Sequence, residues 1–214
     1  NRIGYSQNEQ YKIVSRDSKK PVSYATVKIV TKPGGVFASE TGEFFLQVDQ
    51  RDTILITSVG FEPLRIAGSQ IQSVIEMIPK TVKLPPVEIR NKKEIKELLL
   101  GNSDLKKKPW SYWGPGMSVE FAQKIIFPDI SKTYHIKRVI IPVRTLRCYG
   151  TFLLRFYLPD TLNGLPGEEV FLRKIQPDKK MVKKGMVYID LYEEDLTFHD
   201  VPFFYVSFSW LPET

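Results

Sequence analysis

The fold of this chain is decided by the stretch from Pro21 to Ile66, which reads PVSYATVKIVTKPGGVFASETGEFFLQVDQRDTILITSVGFEPLRI. In its first run, SYATVKI, Ala25, Val27 and Ile29 share one face, because successive side chains of a β-strand point to opposite faces of a sheet. Similar alternation recurs in EFFLQV and DTILIT. The stretch therefore predicts four or five short strands, each buried on one face.

Turn residues separate these strands. Lys32-Pro33-Gly34-Gly35 ends the first run, since proline lacks the N–H that a sheet requires and glycine tolerates a positive φ. Thr41-Gly42 predicts a hairpin turn before the run that contains Phe44. The third run ends at Gly60, and Pro63 restricts the next segment to an edge strand or a loop.

Three motifs in this stretch, PVSYATV, TGEF and DTILITSVGF, resemble the carboxypeptidase-regulatory-like domain family. The matching residues are Pro21, Ala25, Val27, Gly42, Phe44, Leu46, Asp52, Leu55, Ser58, Gly60 and Phe61. LPPVEI at residues 84–89 is similar to the closing strand of that family, and Leu100-Gly101-Asn102 resembles the short motif that often follows it. The resemblance therefore covers roughly residues 8 to 102. It implies a seven-stranded β-sandwich of transthyretin type, common at the N-terminus of exported proteins of Bacteroidetes-type bacteria.

The second half of the chain is also predicted to be all-β. Strands are expected at residues 118–126, 134–143, 151–158, 170–175, 186–191 and 203–210. Turn signals such as Asn163-Gly164 and Pro166-Gly167 separate them, and no helix-length crossover intervenes. This spacing is typical of a β-sandwich or a jelly roll. Four motifs also resemble the second half of uncharacterised secreted proteins with this architecture: RFY at residues 155–157, GLPGE at 164–168, VYIDL at 187–191 and VSFSWL at 206–211.

We therefore predict an all-β chain with two β-sandwich domains joined by a short helix and linker. The predicted segments are residues 1–90 for the transthyretin-like sandwich, residues 91–109 for a short helix and basic linker, and residues 110–214 for a jelly-roll-like sandwich. The helix is predicted because Ile95, Leu98 and Leu99 form an apolar stripe at helical spacing, and Gly101 would end it.

Composition and charge narrow the function classes. The chain has 214 residues, 42% of them hydrophobic, and contains no run near the roughly 20 apolar residues that span a bilayer. Its net charge is +7, and its paired lysines fall in predicted turns, where they are solvated. This pattern favours attraction to an acidic surface over recognition of nucleic acid. The single cysteine, Cys148, excludes an intrachain disulfide.

No motif of a common enzyme class is present in the sequence. His135 lies in a predicted strand and His199 in a predicted turn, without the glutamate spacing of a zinc peptidase. The sequence also lacks a Gly-x-Ser-x-Gly elbow, a Walker A loop and a dinucleotide-binding glycine motif. We therefore predict a protein with no catalytic residues and no cofactor.

A pair of carboxylates would still be able to hydrolyse a glycosidic bond, because their separation in space, and not in sequence, sets that mechanism. The candidates are Glu120, Glu168-Glu169 and Glu193-Glu194-Asp195. Acidic residues solvated in turns are the commoner explanation of such groups. Glycoside hydrolase activity is therefore the alternative function.

One loop carries the oxygen ligands and the glycine of a loose calcium site. Asp160, Asn163 and Glu168 are the candidate ligands, around Gly164. The loop lacks the strict alternation of an EF-hand, and Asn-Gly is the strongest signal for a hairpin turn. A turn is therefore favoured over a metal site.

Trp110, Tyr112 and Trp113 form an aromatic cluster between two breaks of proline or glycine. Flat, exposed rings stack on sugar faces or insert into a pocket of a partner. Packing in the seam between the two domains is the favoured interpretation, and a binding platform is the second. Trp210, in VSFSWL, is predicted to be a core residue.

These observations predict a non-catalytic protein that recognises a glycan or an envelope protein. The family resemblance implies export, to the periplasm or to the outer membrane or cell surface. Besides the glycoside hydrolase, a purely structural role in docking or spacing is the alternative. The sequence does not indicate the ligand, or whether the chain oligomerises through an unpaired sheet edge.

Overall fold

Strands make up nearly all the regular structure of the chain. The computed structural model describes residues 9–80, 96–101, 120–142, 151–183 and 185–211. The chain folds into two compact units, Asn1–Val87 and Glu88–Thr214. The described part of each unit is built from β-strands. Among the described residues, no helix is long and apolar enough to cross a membrane.

The described part of the first unit is a sandwich of two sheets. Its strands are β1 (Glu9–Ser15), β2 (Thr26–Ile29), β3 (Val36–Phe37), β4 (Glu43–Leu46), β5 (Thr53–Thr57), β6 (Leu64–Ala67) and β7 (Val74–Met77). One sheet has the order β4-β1-β7, in which β1 pairs antiparallel with β4 and parallel with β7. The other sheet has the order β3-β2-β5-β6 and is antiparallel.

The core of the first unit lies between these sheets. Ile13 and Met77 come from the first sheet, Val27 and Ile54 from the second, and all four side chains are completely buried. Ala25, Val27 and Ile29 are buried together, which confirms the face predicted from their alternation. Each aliphatic side chain buried in this way contributes about 1.5 to 3 kcal/mol through the hydrophobic effect.

The turn at Thr41-Gly42 differs from the predicted hairpin. It connects β3 in one sheet to β4 in the other, so the strands on either side do not pair in one ladder. Gly42 has a φ of +77°, and its N–H donates to the carbonyl of Ser39 at 3.0 Å. The turn is tight, as expected, but it joins the two layers of the sandwich.

Replacing Gly42 with alanine is expected to destabilise the first unit by about 2 kcal/mol. An added Cβ would lie 2.5 Å from the Ile13 carbonyl oxygen, and the positive φ would be strained as well. Thermal melting of the full chain measures the effect. Gly34→Ala is the matched control, because Gly34 also has a positive φ but open space around the new Cβ. Equal losses in both variants would contradict the steric argument.

The described part of the second unit is also built from packed sheets. Its strands are β8 (Glu120–Ile126), β9 (Tyr134–His135), β10 (Arg138–Pro142), β11 (Phe152–Pro159), β12 (Pro166–Ile175), β13 (Val182–Lys183), β14 (Met186–Asp190), β15 (Thr197–Phe198) and β16 (Phe203–Trp210). They form sheets of order β12-β11-β16-β8, β10-β14-β13 and β15-β9. All their pairings are antiparallel.

Aromatic rings dominate the core of the second unit. Phe156 on β11 stacks on Phe204 of β16, with the ring centroids 5.5 Å apart. Val187 and Ile189 on β14 close the core from the other sheet. Trp210, predicted to be a core residue, is half-buried and packs against this core. Such aromatic pairs add about 0.5 to 1.5 kcal/mol beyond the area they bury.

The predicted strand at residues 134–143 is two strands in the structure. β9 pairs with β15, whereas β10 pairs with β14 in another sheet. The chain changes partners at Ile136, whose N–H donates to the carbonyl of Leu196, and Lys137, whose carbonyl accepts from Leu191. The alternation breaks at this change, because the consecutive polar residues Lys137 and Arg138 shift the core-facing side from Ile136 to Val139. β13 and β15 are too short to show a period and were not predicted.

The predicted linker helix is wrong for the part that the structure describes. Residues 96–101 contain no helix, and residues 91–95 lie outside the described part of the chain. Leu98 and Leu99 are exposed, whereas Leu100 packs against the core of the second unit. Because so short a helix is stable only when its apolar stripe is covered, this segment does not form one.

Candidate functional site

The predicted aromatic platform lies outside the described residues. This applies to Trp110, Tyr112 and Trp113, and also to Cys148. The choice between a sugar platform and seam packing therefore stays a prediction.

The structure places the candidate calcium ligands at the hairpin between β11 and β12. Asp160 Oδ1 accepts the N–H of Leu162 at 2.8 Å, and Asn163 Oδ1 accepts the N–H of Leu165 at 2.9 Å. Gly164 has a φ of +67°, as the Asn-Gly turn requires. The described residues contain no group of three or more His, Cys, Asp or Glu side chains that could hold a metal ion. Asp160 and Asn163 thus serve the predicted turn.

A cluster of buried polar residues lies on the second face of β11. Phe152, Leu154 and Phe156 point into the aromatic core, whereas Leu153, Arg155 and Tyr157 alternate with them, and all six are buried. The strand is therefore buried on both faces. The pairing of β11 with β12 and β16, and of β16 with β8, brings further polar residues to that second face. The resulting Arg155 cluster consists of Glu120, Arg155, Tyr157, Glu169, Ser207 and Ser209.

Two glutamates flank the guanidinium of this cluster. Arg155 Nη1 lies 3.7 Å from Glu120 Oε1, and Arg155 Nε lies 3.4 Å from Glu169 Oε1. The contact with Glu169 lacks hydrogen-bond geometry, so it is an ionic contact only. Glu120 Oε1 also accepts from the hydroxyls of Tyr157, at 2.8 Å, and Ser207. Glu120 therefore accepts hydrogen bonds from two hydroxyl groups, whereas the carboxyl oxygens of Glu169 have no hydrogen-bond partner among the described residues.

Burial raises the proton affinity of Glu169. The Glu169 side chain is 2% exposed, and burial raises its pKa to about 7, against the opposing effect of Arg155. Burial, with the two nearby carboxylates, also raises the pKa of Tyr157. A buried carboxyl group whose pKa is raised to about 7 can act as a general acid.

The sequence named both glutamates as candidates, and the structure brings them to one guanidinium. The third candidate group lies elsewhere, because Glu194 pairs with Arg173 at 3.2 Å. Arg155 is completely buried and Glu169 nearly so, which closes the cluster to a substrate in this conformation. A pair of carboxylates is thus present without an open path to it.

A different arrangement lies open on the outer face of the sheet β10-β14-β13. It is a cleft of about 440 Å³, lined by Arg138, Asp178, Lys180, Met181, Lys183, Tyr188 and Asp190. We call it the Tyr188 cleft. Its floor exists because Val187 and Ile189 point into the core, so that Tyr188 and Asp190 point outward on the same strand.

The carboxylates of the Tyr188 cleft are already engaged. Arg138 Nε donates to Asp190 Oδ1 at 2.6 Å, and the guanidinium lies 5.8 Å from the centroid of the Tyr188 ring. Asp178 Oδ1 accepts the N–H groups of Lys180, at 2.7 Å, and Met181, at 2.9 Å. The two acidic side chains thus stabilise the position of Arg138 and of the turn that carries Lys180. The ring and the lysines are available to a ligand.

The sequence pattern does not predict this cleft. The sequence predicts that Lys180 and Lys183 lie in solvated turns, but it does not predict that both line the same cleft. Arg138 and Tyr188 lie in predicted strands, yet only the register, with Arg138 opposite Asp190 and Ile140 opposite Tyr188, puts them on one face. The missed signal was the alternation of β14, in which Tyr188 and Asp190 share the face opposite to that of the buried Val187 and Ile189.

The histidines do not form a site in the described part of the chain. His135 Nδ1 lies 2.9 Å from the hydroxyl of Thr197, the residue opposite it on β15. His199 Nε2 lies 2.9 Å from Asp200 Oδ2 on the surface. Each imidazole therefore has a local partner next to a strand end.

The first unit has an open edge. A groove of about 380 Å³ lies between β6 and β7, which are edge strands of the two sheets in the described part of the unit. Leu64 and Ile66 line it from β6, and Val74 and Glu76 from β7. Unpaired edges accept an added strand. This is the surface that a docking or spacer role would use.

Comparison with known proteins assigns no family to this geometry. No protein-family model matches the chain, and no curated protein sequence matches it. The resemblance to the carboxypeptidase-regulatory-like domain therefore stays a prediction from the motifs in residues 21–66.

Proposed function

We propose that this chain is a non-catalytic binding protein of the bacterial envelope and that its second unit recognises a glycan. The Tyr188 cleft carries the proposal. It combines an aromatic ring with charged hydrogen-bonding groups on a rigid sheet, and its volume of about 440 Å³ suits a small ligand. The envelope location rests on the family resemblance of the first unit.

The chemistry of a sugar matches these groups. A pyranose ring has an apolar face of C–H groups that packs on a flat aromatic ring, and hydroxyls at its rim that bond to charged side chains. Tyr188 is half-buried, so its orientation is fixed while part of the ring stays accessible. The Arg138–Asp190 pair beside it supplies both a donor and an acceptor.

Glycoside hydrolysis is the second candidate, because Glu120 and Glu169 flank Arg155 with different environments. Hydrolysis would require the buried cluster to open, since Glu169 must reach a glycosidic oxygen. The Tyr188 cleft requires no such change. The binding function is therefore the better supported of the two.

Replacing Tyr188 with alanine is expected to weaken glycan binding about tenfold or more, because stacking on the ring is lost. A glycan array identifies the bound oligosaccharide, and calorimetric titration then measures the affinities. Tyr192→Ala is the matched control, since Tyr192 is an exposed tyrosine outside the lining of the cleft. A folded Tyr188→Ala protein that binds as the wild type does would remove the cleft from the proposal. Turnover of a bound glycan that Glu169→Gln abolishes would support the hydrolase instead.

A further inference from the structure

We propose that the Tyr188 cleft selects an acidic glycan, in which an anionic group on the sugar is bound by Lys180 and Lys183. This inference rests on the proposed function and names the class of its ligand. It derives from the way in which charge is paired within the cleft.

The cleft holds more positive charge than its own acids neutralise. Three cationic and two acidic side chains line it. Asp190 is paired with Arg138, and Asp178 accepts two backbone N–H groups of the turn that carries Lys180. Within the described part of the chain, no carboxylate lies within ion-pair distance of Lys180 or Lys183. Among the described residues, both ammonium groups are thus left without an ion-pair partner, in a cleft whose lining carries one net positive charge.

The two lysines are placed on different walls of the same cleft. Lys180 belongs to the short 3-10 turn Lys179–Met181, and Lys183 ends β13, where it lies opposite Met186 of β14. Asp178 fixes the turn through its two bonds to backbone N–H groups, so Lys180 is held at the rim by a defined backbone. Both side chains line the cavity whose floor is the Tyr188 ring. An anionic sugar stacked on that ring would lie between them.

Charge also explains why a neutral sugar is the poorer ligand. A single exposed ion pair adds little affinity, but two of them added to stacking give a measurable preference. The net charge of +7 attracts acidic polymers over a longer range, and this attraction weakens with salt. A neutral sugar would gain the stacking alone and would leave both ammonium groups without a counter-charge.

The test compares acidic oligosaccharides with neutral ones of the same ring and length. Oligomers of galacturonate, glucuronate and mannuronate are titrated into the full chain beside their carboxyl-reduced counterparts, at about 20 mM and about 200 mM salt. A sulfated oligosaccharide distinguishes a sulfate from a carboxylate. We expect at least one acidic oligomer to bind about tenfold tighter than its reduced form at low salt, with a smaller difference at high salt.

The variants assign that preference to the two lysines. Lys180→Gln with Lys183→Gln should bring the affinity for the acidic oligomer close to the affinity for its reduced form. Lys132→Gln with Lys137→Gln removes the same charge from surface positions outside the lining of the cleft and should keep the preference. Equal binding of acidic and reduced oligomers to the wild type would overturn this inference and leave the proposed function standing. Binding of no sugar in the panel or on the array would overturn both.

Discussion

Replacing Arg155 with methionine is expected to destabilise the second unit by about 3 to 5 kcal/mol. The guanidinium is completely buried and is the cation nearest to both Glu120 and Glu169 among the described residues. Methionine would fill much of its volume but leave the buried Glu169 and the partly buried Glu120 without this counter-charge. It would also remove the donor to Ser209 Oγ, at 3.2 Å. The loss therefore comes from uncompensated charge more than from packing.

Hydrogen exchange read by mass spectrometry measures this loss in one unit at a time. Peptides from β11 and β16 should exchange faster in the Arg155→Met protein, and peptides from β2 and β5 should not change. The double variant Arg155→Met, Glu169→Gln should recover part of the stability, since it removes a carboxylate together with its cation. Protection of β11 equal to that of the wild type in the single variant would show that Arg155 is not needed to balance the two glutamates.

The first unit shows how far alternation alone can predict a fold. The buried face of β2 followed directly from period two, because one of its faces meets the core and the other meets solvent. Gly34, Gly42 and Gly164 have positive φ values where turns were predicted. The sequence could not predict which strands a turn connects. Thr41-Gly42 joins strands of two different sheets, and no local residue distinguishes this connection from a hairpin.

The candidate sites depend on contacts between distant parts of the chain, which alternation does not contain. In FLLRFYL, Arg155 and Tyr157 read as the solvent-facing side of a half-buried strand, yet the structure buries both faces. Glu120 and Ser207 reach Arg155 only through the pairing of β8, β16 and β11. Strand order and register follow from the packing of the whole unit, so the sequence could name Glu120 and Glu169 as acids without placing them together.

Glutamine at position 169 is expected to remove a pH dependence of about 3 kcal/mol from the stability of the second unit. Burial raises the pKa of Glu169 from 4.5 to about 7 in the folded state. The folded chain therefore holds this proton more tightly than the unfolded chain does. The stability contributed by protonated Glu169 is fully present below pH 4.5 and is lost as the pH rises through about 7.

Urea unfolding of the wild type and of Glu169→Gln, at intervals from about pH 4 to about pH 8, measures this loss as the difference between the two proteins. Other titrating groups cancel in that difference. The variant should gain on the wild type as the pH rises, by most of the expected amount at pH 8, because glutamine fills the same space without ionising. Glu168→Gln is the matched control, since the neighbouring Glu168 is exposed and its substitution removes the same charge. If the difference in unfolding free energy between Glu169→Gln and the wild type does not change with pH, Glu169 binds its proton equally in the folded and unfolded chains. Arg155 would then fully offset the burial of the Glu169 carboxylate.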